Sequence, residues 1–89
     1  MISMKEFIYY LKRARQLNLS IEILIKLPNL EYPEVICNPP ENIEQKIKYY
    51  EEAYDDELKL KTNPSVSIIG YKISNRKFSN GENTEHASR

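Results

Sequence analysis

The densest group of ionisable side chains is Glu51, Glu52, Asp55, Asp56 and Glu57. On a helix, residues four apart stack one turn above each other, so Glu51 with Asp55 and Glu52 with Asp56 would form two adjacent acidic rows. Such rows could meet a basic groove on a partner, hold a loose cation, or simply be hydrated. Calcium is the poorest fit, because one helix cannot wrap six oxygens around the ion. Lys48, Lys59 and Lys61 are available as intrahelical partners, which is the solvated-surface reading of the same residues. Tyr49 lies about 100° around a helix from Tyr50, so its ring would be partly exposed, and exposed aromatic edges favour protein contacts. Tyr49, Glu52, Asp55 and Asp56 are therefore the candidate partner-binding residues.

A second set interleaves an aromatic ring with cations: Tyr9, Lys12, Arg13 and Arg15. Such residues can stack on bases and hold phosphates, so they are the candidate nucleic-acid-binding residues. Three cations make a small footprint, and tyrosines in a short domain commonly pack at the rim of the core. Other chemistry lacks its parts. The one histidine, His86, falls in a polar C-terminal stretch, and no Cys-x-x-Cys or His-x-x-x-His pair offers zinc ligands. Cys37 has no base identifiable beside it, which makes it a small buried hydrophobe rather than a nucleophile. Gly70 and Gly81 are the only glycines, too few for a phosphate-cradling loop. The residues point to a protein with no catalytic group, metal site or cofactor.

Composition bounds the rest. Eighty-nine residues make one domain, and 13 basic against 13 acidic side chains leave no net field towards nucleic acid or an anionic membrane. The balance is uneven along the chain, with a basic first third and an acidic middle. No apolar run reaches the ~20 residues that span a bilayer. A single cysteine fits a reducing compartment, so a cytoplasmic location is expected.

These side chains need elements to position them. Ser3-Met4-Lys5-Glu6 has capping-box spacing, and Met4, Phe7, Ile8, Leu11 and Ala14 recur at helical intervals, which predicts a helix over about 4–17. Residues 20–27 alternate, with Ile21, Ile23, Ile25 and Leu27 on one face, and predict a strand. Pro28-Asn29 turns the chain into a second strand, Tyr32 to Cys37, whose Pro33 suits a sheet edge. Asn38-Pro39-Pro40-Glu41 resembles a helix start, although the residue before a proline resists helix and the start could slip by two positions. Ile43, Ile47, Tyr50, Tyr54 and Leu58 then follow a helical stripe. Residues 57–61 also alternate as a strand would; the pairs Asp55–Lys59 and Glu57–Lys61, at favourable i,i+4 spacing, favour continuing the helix. Thr62-Asn63-Pro64 ends it, and Val66 to Ile73 is a third strand, with Ile69, Tyr71 and Ile73 on one face.

The expected fold is α+β, in the order α-β-β-α-β. Its three-stranded antiparallel sheet would have strand order 2-1-3, with both helices on one face. Leu24 and Ile68 could form a small apolar patch on the other face. Residues 1–74 form the domain, and 75–89, nearly devoid of apolar side chains, form a disordered polar tail. So small a core makes self-association, for instance a homodimer, a reasonable expectation.

From Glu41 to Tyr71, and above all from Lys46-Ile-Lys-Tyr-Tyr50 to Asn63-Pro64, the text resembles small early proteins carried by phages and prophages of Gram-positive bacteria. The resemblance covers about a third of the chain and brings no catalytic motif. It implies a cytoplasmic protein made during infection that binds host or defence machinery. The expected function is thus a non-enzymatic protein-binding module, an inhibitor or modulator acting through the acidic, Tyr-containing helix. The alternatives are a nucleic-acid accessory protein using the basic first helix, or a structural homo-oligomer subunit.

Overall fold

The Ser3 hydroxyl accepts the Glu6 amide at 3.2 Å, and from this cap helix α1 runs Met4–Gln16. The computed structural model describes residues 2–74; the expected tail at 75–89 lies outside them. Phe7, Ile8, Leu11 and Ala14 are the buried stripe of α1, as their spacing requires. The helix stops where Asn18 turns left-handed at φ 58°, a conformation asparagine tolerates, while the Leu19 amide closes on the Ala14 carbonyl.

Strand β1 (Ser20–Lys26) follows and buries Ile21, Ile23 and Ile25 beneath the helices. Strand β2 (Glu34–Asn38) pairs antiparallel with β1 and forms one edge of the sheet. Asn38 is the last residue of β2, not a helix cap. It is buried, and its side-chain amide donates to the Tyr50 hydroxyl at 3.2 Å. A single 3-10 turn, Pro40–Asn42, leads into helix α2, Ile43–Ala53. The start has slipped because Asn38 and Pro39, each preceding a proline, are held out of the helical region.

The second helix is shorter than its stripe implies. Tyr54 is already extended, at φ −117° and ψ 151°, and the chain reverses through Asp55–Leu58 into a two-residue strand β3, Lys59–Leu60. Strand β4, Asn63–Ser74, then runs beside both β3 and β1. The sheet therefore has four antiparallel strands in the order β2-β1-β4-β3. This corrects the three-stranded 2-1-3 sheet and the helix reaching residue 61. The cause is local. One Asp55 carboxylate oxygen accepts the amides of Glu57 and Lys59, each at 2.9 Å. Such capping competes directly with helical hydrogen bonding, and i,i+4 charge pairs worth only ~0.2–0.5 kcal/mol each cannot outweigh it. The Lys61 amide also donates to the Ala53 carbonyl, satisfying an acceptor at the helix end. Tyr54 and Leu58 still reach the core, Leu58 by adopting a left-handed φ of 65°.

A β-bulge sets the faces of β4. Its register with β1 shifts between Leu24 and Ile25, so Gly70 opposes Leu24 while Ile68 opposes Ile25. Ile69 is the extra residue and is half exposed. Ile68, Tyr71 and Ile73 consequently share the helix-facing side, in place of the Ile69-Tyr71-Ile73 set that simple alternation gives. Leu24 is therefore not beside Ile68 on the open face. It covers Gly70, where a Cβ would come within 3.2 Å of Leu24 Cδ1. The core lies between this sheet and both helices.

Candidate functional site

Helices α1 and α2 lie antiparallel. Arg15 near the end of α1 pairs with Glu44 in the first turn of α2 at 3.2 Å, and the Met4 amide at the start of α1 donates to the Asp56 carbonyl at 2.9 Å. A groove of about 410 Å³ lies between α1 and the last turn of α2 with the residues that follow it. Met4 and Ile8 give it apolar lining, Lys5, Lys12 and Tyr9 flank it from α1, and Glu51 and Asp56 face them. Tyr9 is 60% exposed, its ring edge-on to Tyr10 at 5.0 Å. The groove thus has an apolar floor, a basic wall and an acidic wall.

The expected partner-binding residues do not share one helix face. Tyr49 is half exposed on α2 beneath the Lys46 ammonium, which sits 5.4 Å from its ring centre. Glu52 lies about 60° further round the same outer flank by helical geometry. Asp55 has left the helix, and one of its carboxylate oxygens closes the turn by accepting two backbone amides. Asp56 lines the groove on the opposite side of α2 from Tyr49. The two acidic rows therefore do not form, because only Glu51 and Glu52 remain helical. The basic set is dispersed too. Tyr9 and Lys12 enter the groove opposite acids, Arg15 is paired to Glu44, and Arg13 faces away on the other flank of α1. What unites the sets is the groove, where Tyr9 and Lys12 from one meet Asp56 from the other. Glu51, Lys5, Met4 and Ile8 complete it. Glu51 was visible within the acid cluster, but nothing in the sequence signalled that it would face α1.

No family model, curated protein or solved structure matches this chain. Its site therefore rests on its own residues. Among the described residues, no set of three His, Cys, Asp or Glu side chains converges to hold a metal ion. Cys37 is buried in β2. No described helix is long and apolar enough to cross a membrane.

An aromatic chain links both helices to the sheet. Ring centres step from Tyr10 to Tyr71 at 5.2 Å, to Phe7 at 5.9 Å and to Tyr50 at 5.1 Å, and Tyr50 touches Tyr49 and Tyr54. Tyr71 anchors it by donating its hydroxyl to a Glu6 carboxylate oxygen at 2.7 Å. Burial, aided by that carboxylate, raises the Tyr71 pKa, and burial raises that of Tyr50 despite the opposing hydrogen bond from Asn38. Burial, with Tyr49 and Tyr50 adding to it, pushes Tyr54 up to about 12.

The fold thus favours neutral phenols. The stability this contributes is complete below the unfolded tyrosine pKa of about 10. It is lost as pH rises through the folded value of about 12 for Tyr54. An alkaline titration followed by tyrosinate absorbance and circular dichroism is expected to show these three ionising together with loss of structure. Full ionisation with an intact dichroism spectrum would contradict this.

Proposed function

We propose that this chain is a non-enzymatic protein-binding module, a phage-encoded modulator that acts by occupying a surface on a host or defence protein. The contact is the groove between α1 and the end of α2; Tyr49 and Glu52 lie outside it, on the outer flank of α2. The observation that carries this reading is the pairing of an apolar floor with oppositely charged walls, Lys5 and Lys12 against Glu51 and Asp56. An inserted helix or loop with apolar anchors gains from such a groove if it carries an acid on one flank and a base on the other. Nucleic acid gains little, because a phosphate near Lys12 also meets Glu51 and Asp56 and loses most of the electrostatic term that drives such binding. A protein-binding role also agrees with the resemblance of the second helix and the strand after it to small phage proteins.

The test exchanges the walls without changing net charge. The double variant Lys12→Glu, Glu51→Lys alters two exposed side chains, so the fold should be retained. Affinity capture with mass spectrometry identifies the partner, and titration of the purified partner measures the effect. The exchange is expected to weaken binding by at least ~10-fold, as opposed charges become like charges across the contact. An unchanged affinity would remove the groove from the mechanism. Asp55 is left intact in this test, since replacing it would open the turn it closes.

A further inference from the structure

The β3-side edge of β4 is half covered. Strand β3 pairs only with residues between Asn63 and Ser67, and the Ile68 amide donates to the Leu58 carbonyl; from Ile69 to Ile73 no described residue pairs with this edge. Residues on one face of a strand send their N–H and C=O groups to the same side. Ile68, Tyr71 and Ile73 share the helix-facing side, opposite Ile25, Ile23 and Ile21. The backbone N–H and C=O of Tyr71 and Ile73 therefore point out of the sheet, as that of Ile68 does. This is a ready template for one more strand.

We infer that the strand it takes is β4 of a second copy of this chain, joining two sheets into one continuous eight-stranded antiparallel sheet. An antiparallel pairing about a two-fold axis at Lys72 sets Tyr71 opposite Ile73 of the second copy, and the reverse. That register uses all four outward groups in each copy and places aromatic against β-branched side chains, a favourable cross-strand pair. Helix α1 supports the same axis. It contacts both β1 and β4, so it sits roughly 5 Å from the axis for strands ~4.8 Å apart. Two copies of α1 would then lie ~10 Å apart, a normal packing distance for helices.

The facing flanks are charge-complementary. Glu6, Tyr10 and Arg13 lie on the side of α1 away from α2. Tyr10 stacks over Tyr71, Glu6 accepts the Tyr71 hydroxyl, and the opposite flank carries the Arg15–Glu44 pair. Because the axis passes near Tyr71, it opposes Glu6 to Arg13 of the second copy at both ends of the helix pair. Among the described residues the unfavourable contact is Lys72 with its own copy, moderated by Glu22, which faces Lys72 across β1 and β4. The groove assigned to a partner lies on the other flank of α1, so the two assignments stand or fall separately.

Sedimentation of the full chain from micromolar to millimolar concentration tests this, with residue-resolved amide exchange across the same range. The expected result is a monomer–dimer equilibrium in which the Tyr71 and Ile73 amides become protected as dimer forms. Arg13→Glu should weaken association ~10-fold or more by turning both Glu6 contacts repulsive. Arg13→Lys should leave it near the original, and Lys72→Ser should tighten it. A monomer throughout would overturn the proposal and leave the edge to an extended segment of another protein. So would a dimer in which the Tyr71 and Ile73 amides exchange as freely as in the monomer.

Discussion

Replacing Phe7 with alanine is expected to remove a large share of the chain's folding free energy. Phe7 is fully buried and stands edge-on to Tyr50 at 5.1 Å and tilted against Tyr71 at 5.9 Å, so it joins α1 to both α2 and β4. Truncating a buried phenylalanine to alanine costs about 3–5 kcal/mol, partly through the cavity left behind. The aromatic contacts add ~0.5–1.5 kcal/mol each. A domain of this size has roughly 4–11 kcal/mol in total, at about 0.05–0.15 kcal/mol per residue. The loss therefore rivals the whole stability. Urea titration by circular dichroism checks this, with Phe7→Leu as the control that keeps most of the volume and should stay folded. A Phe7→Ala variant with an unchanged midpoint would mean that the helices do not meet the sheet through this ring.

The second large effect is expected at Leu58, where two demands conflict. Its side chain is fully buried, yet its backbone sits at φ 65°, a region that disfavours any residue with a Cβ. Leu58→Ala should cost about 2–5 kcal/mol through lost burial. Leu58→Gly removes one more carbon but relieves ~1–2 kcal/mol of left-handed strain. The glycine variant is therefore expected to be at least as stable as the alanine variant, the reverse of the usual order in helices and strands. Chemical denaturation of the pair measures the difference directly. Alanine clearly above glycine would show that the turn does not hold the left-handed geometry. The same turn gives Asp55 a part in stability, since one oxygen of its carboxylate holds two backbone amides.

This turn also marks how far the sequence could be read. Alternation in 57–61 permitted a strand, and the charge pairs Asp55–Lys59 and Glu57–Lys61 favoured a helix. Lys59 does find Glu57, at 3.5 Å, but two residues apart beside a turn rather than one turn along a helix. Short-range charge patterns are compatible with several backbones because each pair is weak. The apolar stripe was more durable. Ile43, Tyr50, Tyr54 and Leu58 are all buried although the helix carries only the first two. Burial is a stronger demand than helicity, and the chain met it by a different route.

The candidate site was legible in its parts and not in its assembly. Residue type and spacing mark Tyr9, Lys12 and Asp56, but for two separate surfaces. Their meeting in one groove depends on the antiparallel arrangement of two helices that are far apart in sequence.

From the residues alone follow the capped first helix, the central isoleucine strand and both helices on one sheet face, because local periodicity acts within a few residues; Pro33 falls just before β2, so that strand's edge position comes from the sheet order and not from a missing donor. The tertiary structure alone decided that Asp55 ends α2, that a bulge at Ile69 turns Ile68 inward, and that acid and base face each other across a groove. Those outcomes balance burial and backbone hydrogen bonding between distant segments, and no local pattern carries that balance.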